Sequence, residues 1–139
     1  MLIGKYQHNI DAKGRVFIPA RLREDLGEHF ILTKGLENCL YVYSETEWGV
    51  LEARIRALPF SKGRQLQRFF FAGACDVEAD KQGRIVLPAD LRAYAGLEHE
   101  AVIIGASTRA EIWDSERWET ACEAITPETV EQAMEELGF

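Results

Sequence analysis

The sequence lacks the residue groupings around which most catalytic and extracellular proteins are built. Its three cysteines, Cys39, Cys75 and Cys122, are odd in number, widely separated and free of any Cys-x-x-Cys spacing, so neither a disulfide framework nor a zinc site is indicated. They read as buried or neutral thiols. His8, His29 and His99 are equally scattered, and the fold would have to gather them to build a metal or catalytic cluster. There is no Gly-rich phosphate loop, nucleophile elbow or metal-ligand spacing, so the chain is expected not to be an enzyme and to carry no cofactor and no metal. Long apolar runs are missing as well. No segment approaches the ~20 residues of a membrane span, and Met1 to His8 hold no stretch suited to a signal peptide. The cytoplasm is the expected compartment.

Positive charge is also scarce overall. A net charge of −7 at pH 7, taken alone, argues against nucleic acid as a partner. Its distribution argues the other way: residues 1–70 hold eleven Lys+Arg and eight Asp+Glu, whereas residues 71–139 hold five and fifteen. One half can offer a basic face while the other keeps the molecule soluble. With 139 residues, 47% hydrophobic and 28% charged, the composition is that of a globular protein forming one domain or two small units that share a core.

What the sequence does contain is an echo. Asp11-Ala-Lys-Gly-Arg-Val-Phe-Ile-Pro-Ala-Arg-Leu-Arg23 returns 69 residues later as Asp80-Lys-Gln-Gly-Arg-Ile-Val-Leu-Pro-Ala-Asp-Leu-Arg92, which marks a duplicated structural unit. In each copy, β-branched and aromatic residues flank an Asp-x-x-Gly turn, with the glycine suited to the left-handed position of a bulge. Strands are expected over Ile3–Ile10 and Val16–Ile18, paired as a hairpin, and over Gly73–Ala79 and Ile85–Leu87 in the second copy. Pro19 and Pro88 end the return strands and open short helices that stop at Gly27 and Gly96. A second strand pair follows in each copy (30–33 with 40–43, 101–104 with 110–113), with Gly105 answering Gly35 and Trp118 answering Trp48.

Ser44 with Glu47 reads as a capping box opening a helix that carries Trp48, Leu51, Ile55 and Leu58 on one face and closes at Pro59. Residues 61–71 read as a linking helix with Arg64 and Arg68 on its polar face, and its Phe69, Phe70 and Phe71 cannot all face one way. At least one should meet the other half or a neighbouring subunit. Asp114 caps the helix of the second copy, and Thr126-Pro127 opens a last acidic helix. The expected divisions are a first unit at 1–58, a linking helix at 59–72, a second unit at 73–125 and the acidic helix at 126–139.

Two readings compete for the repeated Asp-x-x-Gly-Arg. In one, Asp11 and Asp80 cap their turns and pair with Arg15 and Arg84, specifying a fold and nothing more. In the other, a two-stranded ribbon enters the major groove of DNA, with Arg15 gripping a base edge and Asp11 holding the Arg15 fork in place. Lys5, Lys13 and Arg23 are then the candidate phosphate contacts, and Arg84 the second-copy counterpart of Arg15. Gly14 and Gly83 support the turns. Lys13 has Gln82 as its counterpart and Arg21 has Asp90, which favours the first copy as the DNA-facing one.

Two Asp-x-x-x-Arg motifs about seventy residues apart, each followed by Pro-Ala-x-Leu-Arg, resemble the MraZ family of bacterial transcriptional regulators over essentially the whole chain. The resemblance implies an α+β fold: a pseudo-two-fold pair of intertwined AbrB-like swapped-hairpin, β-barrel-like units with flanking helices. It also implies ring-like homo-oligomers, nucleoid association and binding to double-stranded DNA at short direct repeats in the promoter of the division and cell-wall gene cluster. The rival reading is an oligomeric interaction scaffold or antitoxin-like module whose hairpins serve only assembly.

Overall fold

The computed structural model describes residues 1–139. Both repeated turns form where the Asp and Gly residues place them. The Gly14 amide donates to the Asp11 carbonyl at 3.0 Å and the Asp11 amide to the Arg15 carbonyl at 3.0 Å, while Asp80, Gly83 and Arg84 repeat the pattern at 2.9 and 2.8 Å. Gly14 and Gly83 take φ of 77° and 85°, left-handed values that a side chain would resist.

The strands leaving each turn nevertheless do not pair with each other. Strand β1 (Lys5–Asn9) ladders with β7 (Glu100–Gly105), Lys5 lying opposite Ile104, and β2 (Arg15–Phe17) ladders with β6 (Arg84–Val86), Val16 opposite Ile85. The expected local hairpin is thus corrected to an exchange between halves. The reason is burial: a three-residue strand has one inward side chain, and Val16 and Ile85 each reach 1% exposure only by meeting at the centre of the molecule.

The remaining strands are β3 (His29–Lys34), β4 (Leu40–Ser44), β5 (Cys75–Glu78) and β8 (Ala110–Asp114). The large sheet runs β1-β7-β8-β4-β3-β5, all pairs antiparallel. Read from either end, this order exchanges first-half strands for their second-half counterparts. A pseudo-two-fold axis therefore passes between β4 and β8 and between β2 and β6. Alternation along the strands splits the interior into two layers. Phe30, Leu32, Leu40, Val42, Ala101, Ile103, Ala110 and Ile112 point to the layer shared with the β2–β6 ribbon and with α1 (Ala20–Leu26) and α4 (Ala89–Ala95). Tyr41, Tyr43, Val102 and Trp113 point to the other face.

On that far face lie α2 (Glu45–Arg56), α3 (Phe60–Leu66) and α5 (Ser115–Glu123). Ser44 accepts the Glu47 amide at 3.2 Å, which is the forward half of the expected capping box. Ile55 is buried, Trp48 and Leu51 are partly so, and Leu58 lies beyond the helix end and exposed. The linking segment is not one α-helix: α3 gives way to a π-helical turn over Gln67–Phe71. The wider turn brings all three phenylalanines inward, Phe69 against Tyr94 of the second half, Phe70 against Tyr41 and Phe71 against Trp48. Trp118 stacks edge-on against Trp113, so both repeated tryptophans serve packing.

The sheet register also corrects one equivalence. Lys34 opposes Leu40 and Gly105 opposes Ala110, so Gly105 answers Lys34, not Gly35, and the second loop is one residue shorter. Gly105 is required there for a different reason: a Cβ would collide with the backbone of Leu2 and Ile3. The last helix, α6 (Pro127–Glu136), is capped by Thr126 and has no buried residue.

Because β1 and β2 find their partners in the second half, residues 1–72 produced alone are expected not to be a folded monomer. Circular dichroism and sedimentation would show an unfolded chain or a self-exchanged dimer, and adding residues 73–139 should restore the native spectrum. A monomeric, cooperatively melting 1–72 fragment would refute the exchange.

Candidate nucleic-acid interface

Each turn carboxylate is fully engaged. Asp11 accepts the Lys13 amide at 3.0 Å and the Arg15 amide at 2.8 Å on Oδ1, and the Arg15 Nε at 2.7 Å on Oδ2. Asp80 takes the Gln82 amide, the Arg84 amide and the Arg84 Nε, each at 2.9 Å. Asp is the residue that fits, because its short side chain reaches the two following amides and still presents an oxygen to the arginine. The Asp thus caps the turn and also fixes the Arg, the geometry that both readings of the motif share. With Nε occupied, the terminal nitrogens of both guanidinium groups engage no acceptor within the chain.

The exchange of strands brings the two arginines together. Arg15 opposes Val86, and Phe17 opposes Arg84, so all four side chains share the outward face of one ribbon, with the arginines on a diagonal about 7–8 Å long at the backbone. Each turn is backed by the opposite half. The carbonyls of Gly83 and Gly14 accept the amides of Ile18 at 2.9 Å and Leu87 at 2.8 Å. The guanidinium of Arg23 lies over Gly83 and that of Arg92 over Gly14, so close that a Cβ on either glycine would come within 2.8 and 3.0 Å of the guanidinium carbon.

These placements sort the sequence candidates. Arg15 and Arg84 share the ribbon face, and Lys13 is exposed in the first turn. Lys81, exposed in the second turn at the place of Ala12, replaces the charge that Gln82 omits, so the two turns carry equal positive charge. Arg23 is half-buried, with its Nε donating to the Ile18 carbonyl at 2.9 Å, and braces the turn. Its counterpart Arg92 has a buried Nε with no partner. Lys5 lies across the sheet on the α5 side, in a groove of about 290 Å³ with Trp118 and Cys122. Arg64 and Arg68 are exposed on the linking segment. Sequence reading missed Arg92 as a brace, although its recurrence with Arg23 was visible, and missed the outward Phe17 and Val86.

No cluster of three or more His, Cys, Asp or Glu capable of holding a metal ion forms, and no helix is long and apolar enough to cross a membrane. Burial pushes the Cys39 thiol up to about 12 and raises Cys75 as well, which keeps both thiols protonated at neutral pH.

The hydrogen bonds from the Arg15 and Arg84 amides hold Asp11 and Asp80 below the ordinary carboxylate value of 3.8. A carboxyl depressed in the folded state contributes stability above its unfolded value and loses that contribution as pH falls through the folded one. Melting temperature should therefore drop as pH is taken below 3.8, and the drop should be smaller in Asp11→Asn/Asp80→Asn, which starts less stable at neutral pH. Thermal melts across pH decide this. An identical acid dependence in the double variant would refute it.

The arrangement can be set beside known proteins. The family model described as "MraZ protein, putative antitoxin-like" matches residues 1–68 and again 70–137, one match per half. A protein named transcriptional regulator MraZ from Acetivibrio thermocellus is 56% identical over 143 residues, spanning all of both chains. One of the same name from Heliobacterium modesticaldum is 54% identical, covering 100% of this chain and 99% of its own. Another, from Thermoanaerobacter sp. (strain X514), is 58% identical over 121 residues, covering 86% of this chain and 85% of its own. The chain belongs to the MraZ family.

Proposed function

We propose that the chain is a sequence-specific DNA-binding transcriptional regulator, not an enzyme, acting in the cytoplasm on the nucleoid. Its target is a set of short direct repeats in the promoter of the division and cell-wall gene cluster, engaged by several copies assembled as a ring. The observation that carries this reading is the placement of Arg15 and Arg84 on one outward ribbon face, each guanidinium anchored through Nε to an Asp and open at its terminal nitrogens. A fork held this way is ready for guanine O6 and N7, with little conformational freedom left to lose on binding. The relatives' printed name, transcriptional regulator, supports the same reading.

A two-stranded ribbon fits the major groove. Lys13 and Lys81, in the turns at its two ends, fall where phosphates flank the groove, and Arg23 and Arg92 act from behind by keeping the turns in shape. Because Arg15 and Arg84 are related by the pseudo-two-fold axis, both copies of the motif serve one contact surface. A single ribbon makes few contacts, so a ring showing one ribbon per subunit gains affinity by engaging successive repeats.

The second reading, an assembly or antitoxin-like module, draws support from α6, whose Val130 and Met134 stay exposed beside four glutamates. The two separate in a gel shift on DNA upstream of the protein's own gene across a salt series. The wild type is expected to bind there better than scrambled DNA, with affinity falling as salt rises. Arg15→Ala and Arg84→Ala should each cost about 1–3 kcal/mol, roughly five- to 150-fold, and by similar amounts. Asp11→Asn should weaken binding without touching DNA. Failure of the wild type to prefer this fragment would leave only the assembly reading.

A further inference from the structure

Between the two arginines, the ribbon face carries two apolar side chains that the fold does not use. Val16 and Ile85, which point inward, are 1% exposed each, whereas Phe17 and Val86, which point outward, are 42% and 58% exposed. Phe17 has one aromatic neighbour, His8, at 5.9 Å between ring centroids. An exposed aromatic and β-branched pair on a β-ribbon invites unwanted association unless something covers it. The patch is two residues wide, far short of the ~1,000 Å² that a stable protein interface buries, and positive groups stand at its diagonal corners. Its size and charge suit the methyl-bearing edge of a base pair flanked by phosphates.

We infer that Phe17 and Val86 read thymine through its C5-methyl group, adding apolar base recognition to the arginine contacts. The inference rests on the DNA-binding reading above. In the major groove, the thymine methyl is the one apolar feature that distinguishes a base pair, and Phe is among the side chains suited to it. The spacing agrees. Residues two apart on one strand face are separated by about 6.8 Å, which is two base steps of about 3.4 Å. With Arg15 on a guanine, Phe17 then falls on the edge two steps along. The pseudo-two-fold axis gives Arg84 and Val86 the same relation in the opposite direction, so the preferred site pairs each guanine with a thymine two steps away.

The test uses the full-length protein and the upstream fragment prepared twice, once with thymidine and once with deoxyuridine, which lacks only the methyl. Wild type is expected to bind the thymidine fragment more tightly, by roughly fourfold for each methyl contacted. Phe17→Ser and Val86→Ser, each checked for unchanged melting temperature, should reduce that ratio, and the double variant should bring it to one. Dividing the wild-type ratio by a variant's ratio removes any general effect of the missing methyls on DNA stiffness, which both proteins meet alike. A wild type that binds both fragments equally, or a preference that survives in the double variant, would overturn this inference and leave the DNA-binding reading standing. Binding of neither fragment would overturn both. Variants that change the assembly size in sedimentation while keeping the thymine preference would assign the patch to subunit contacts and overturn it too.

Discussion

Everything in this molecule depends on the requirement that a three-residue strand find its partner in the other half. Strands β2 and β6 are too short to hold a sheet by themselves, and each contributes a single inward side chain. Val16 and Ile85 are buried only because the two strands meet across the pseudo-two-fold axis. Once they do, the neighbouring strands must cross over as well: β1 goes to β7 and β5 to β3. One 19-residue apolar cluster then draws on both halves. Covalent linkage makes this exchange intramolecular, so the ordering entropy of bringing the halves together is reduced to that of closing a loop.

The same crossing explains why the repeated motif holds the residues it does. Asp must reach two amides and an arginine, Gly must take a left-handed turn beneath a guanidinium, and Pro must stand two residues past the end of the ribbon strand. Gly14 and Gly83 answer the left-handed backbone angle, and the guanidinium groups of Arg92 and Arg23 pack so near that a Cβ would make them shift. The repeat is therefore an architectural device that leaves the outward side chains of the ribbon without a packing role. Anchoring Arg15 and Arg84 through Nε ties the proposed recognition surface to the fold: a turn that loosened would release its arginine.

How much of this was legible in the sequence follows from the range of the forces involved. Turns, caps and helix stops are local, so Asp11, Gly14, Pro19 and their counterparts, and the Thr126 cap, could be read directly. The pairing of Asp with Arg was legible for the same reason. The choice of strand partner was not, because the alternation of β1 and β2 is satisfied equally by a local hairpin and by an exchanged one, and only the family resemblance pointed to intertwining. The π-helical turn at Gln67–Phe71 was equally hidden. No local rule asks for the extra residue, and with it Phe69, Phe70 and Phe71 meet three different aromatic partners. The charge comparison of Lys13 with Gln82 read a single position, whereas the second turn carries its lysine one residue earlier, at Lys81.

The two-fold relation is kept where the ribbon lies and broken on the far face of the sheet. At the axis, Tyr41 opposes its own counterpart, Glu111. Glu111 is buried against Arg109 at 2.7 Å and accepts the Trp113 indole at 2.9 Å, while Arg109 lies over the Tyr41 ring at 4.3 Å. The first half closes this face with the phenylalanines of the linking segment, and the second half ends in α6, which buries no residue. Such a division suits the proposed ring. A head-to-tail ring joins one surface of each subunit to a different surface of the next, and the unlike halves of the far face offer such a pair. A duplicated chain whose far face has diverged thus keeps a symmetric ribbon for the proposed duplex contact and unlike surfaces for the proposed joining of one copy to the next.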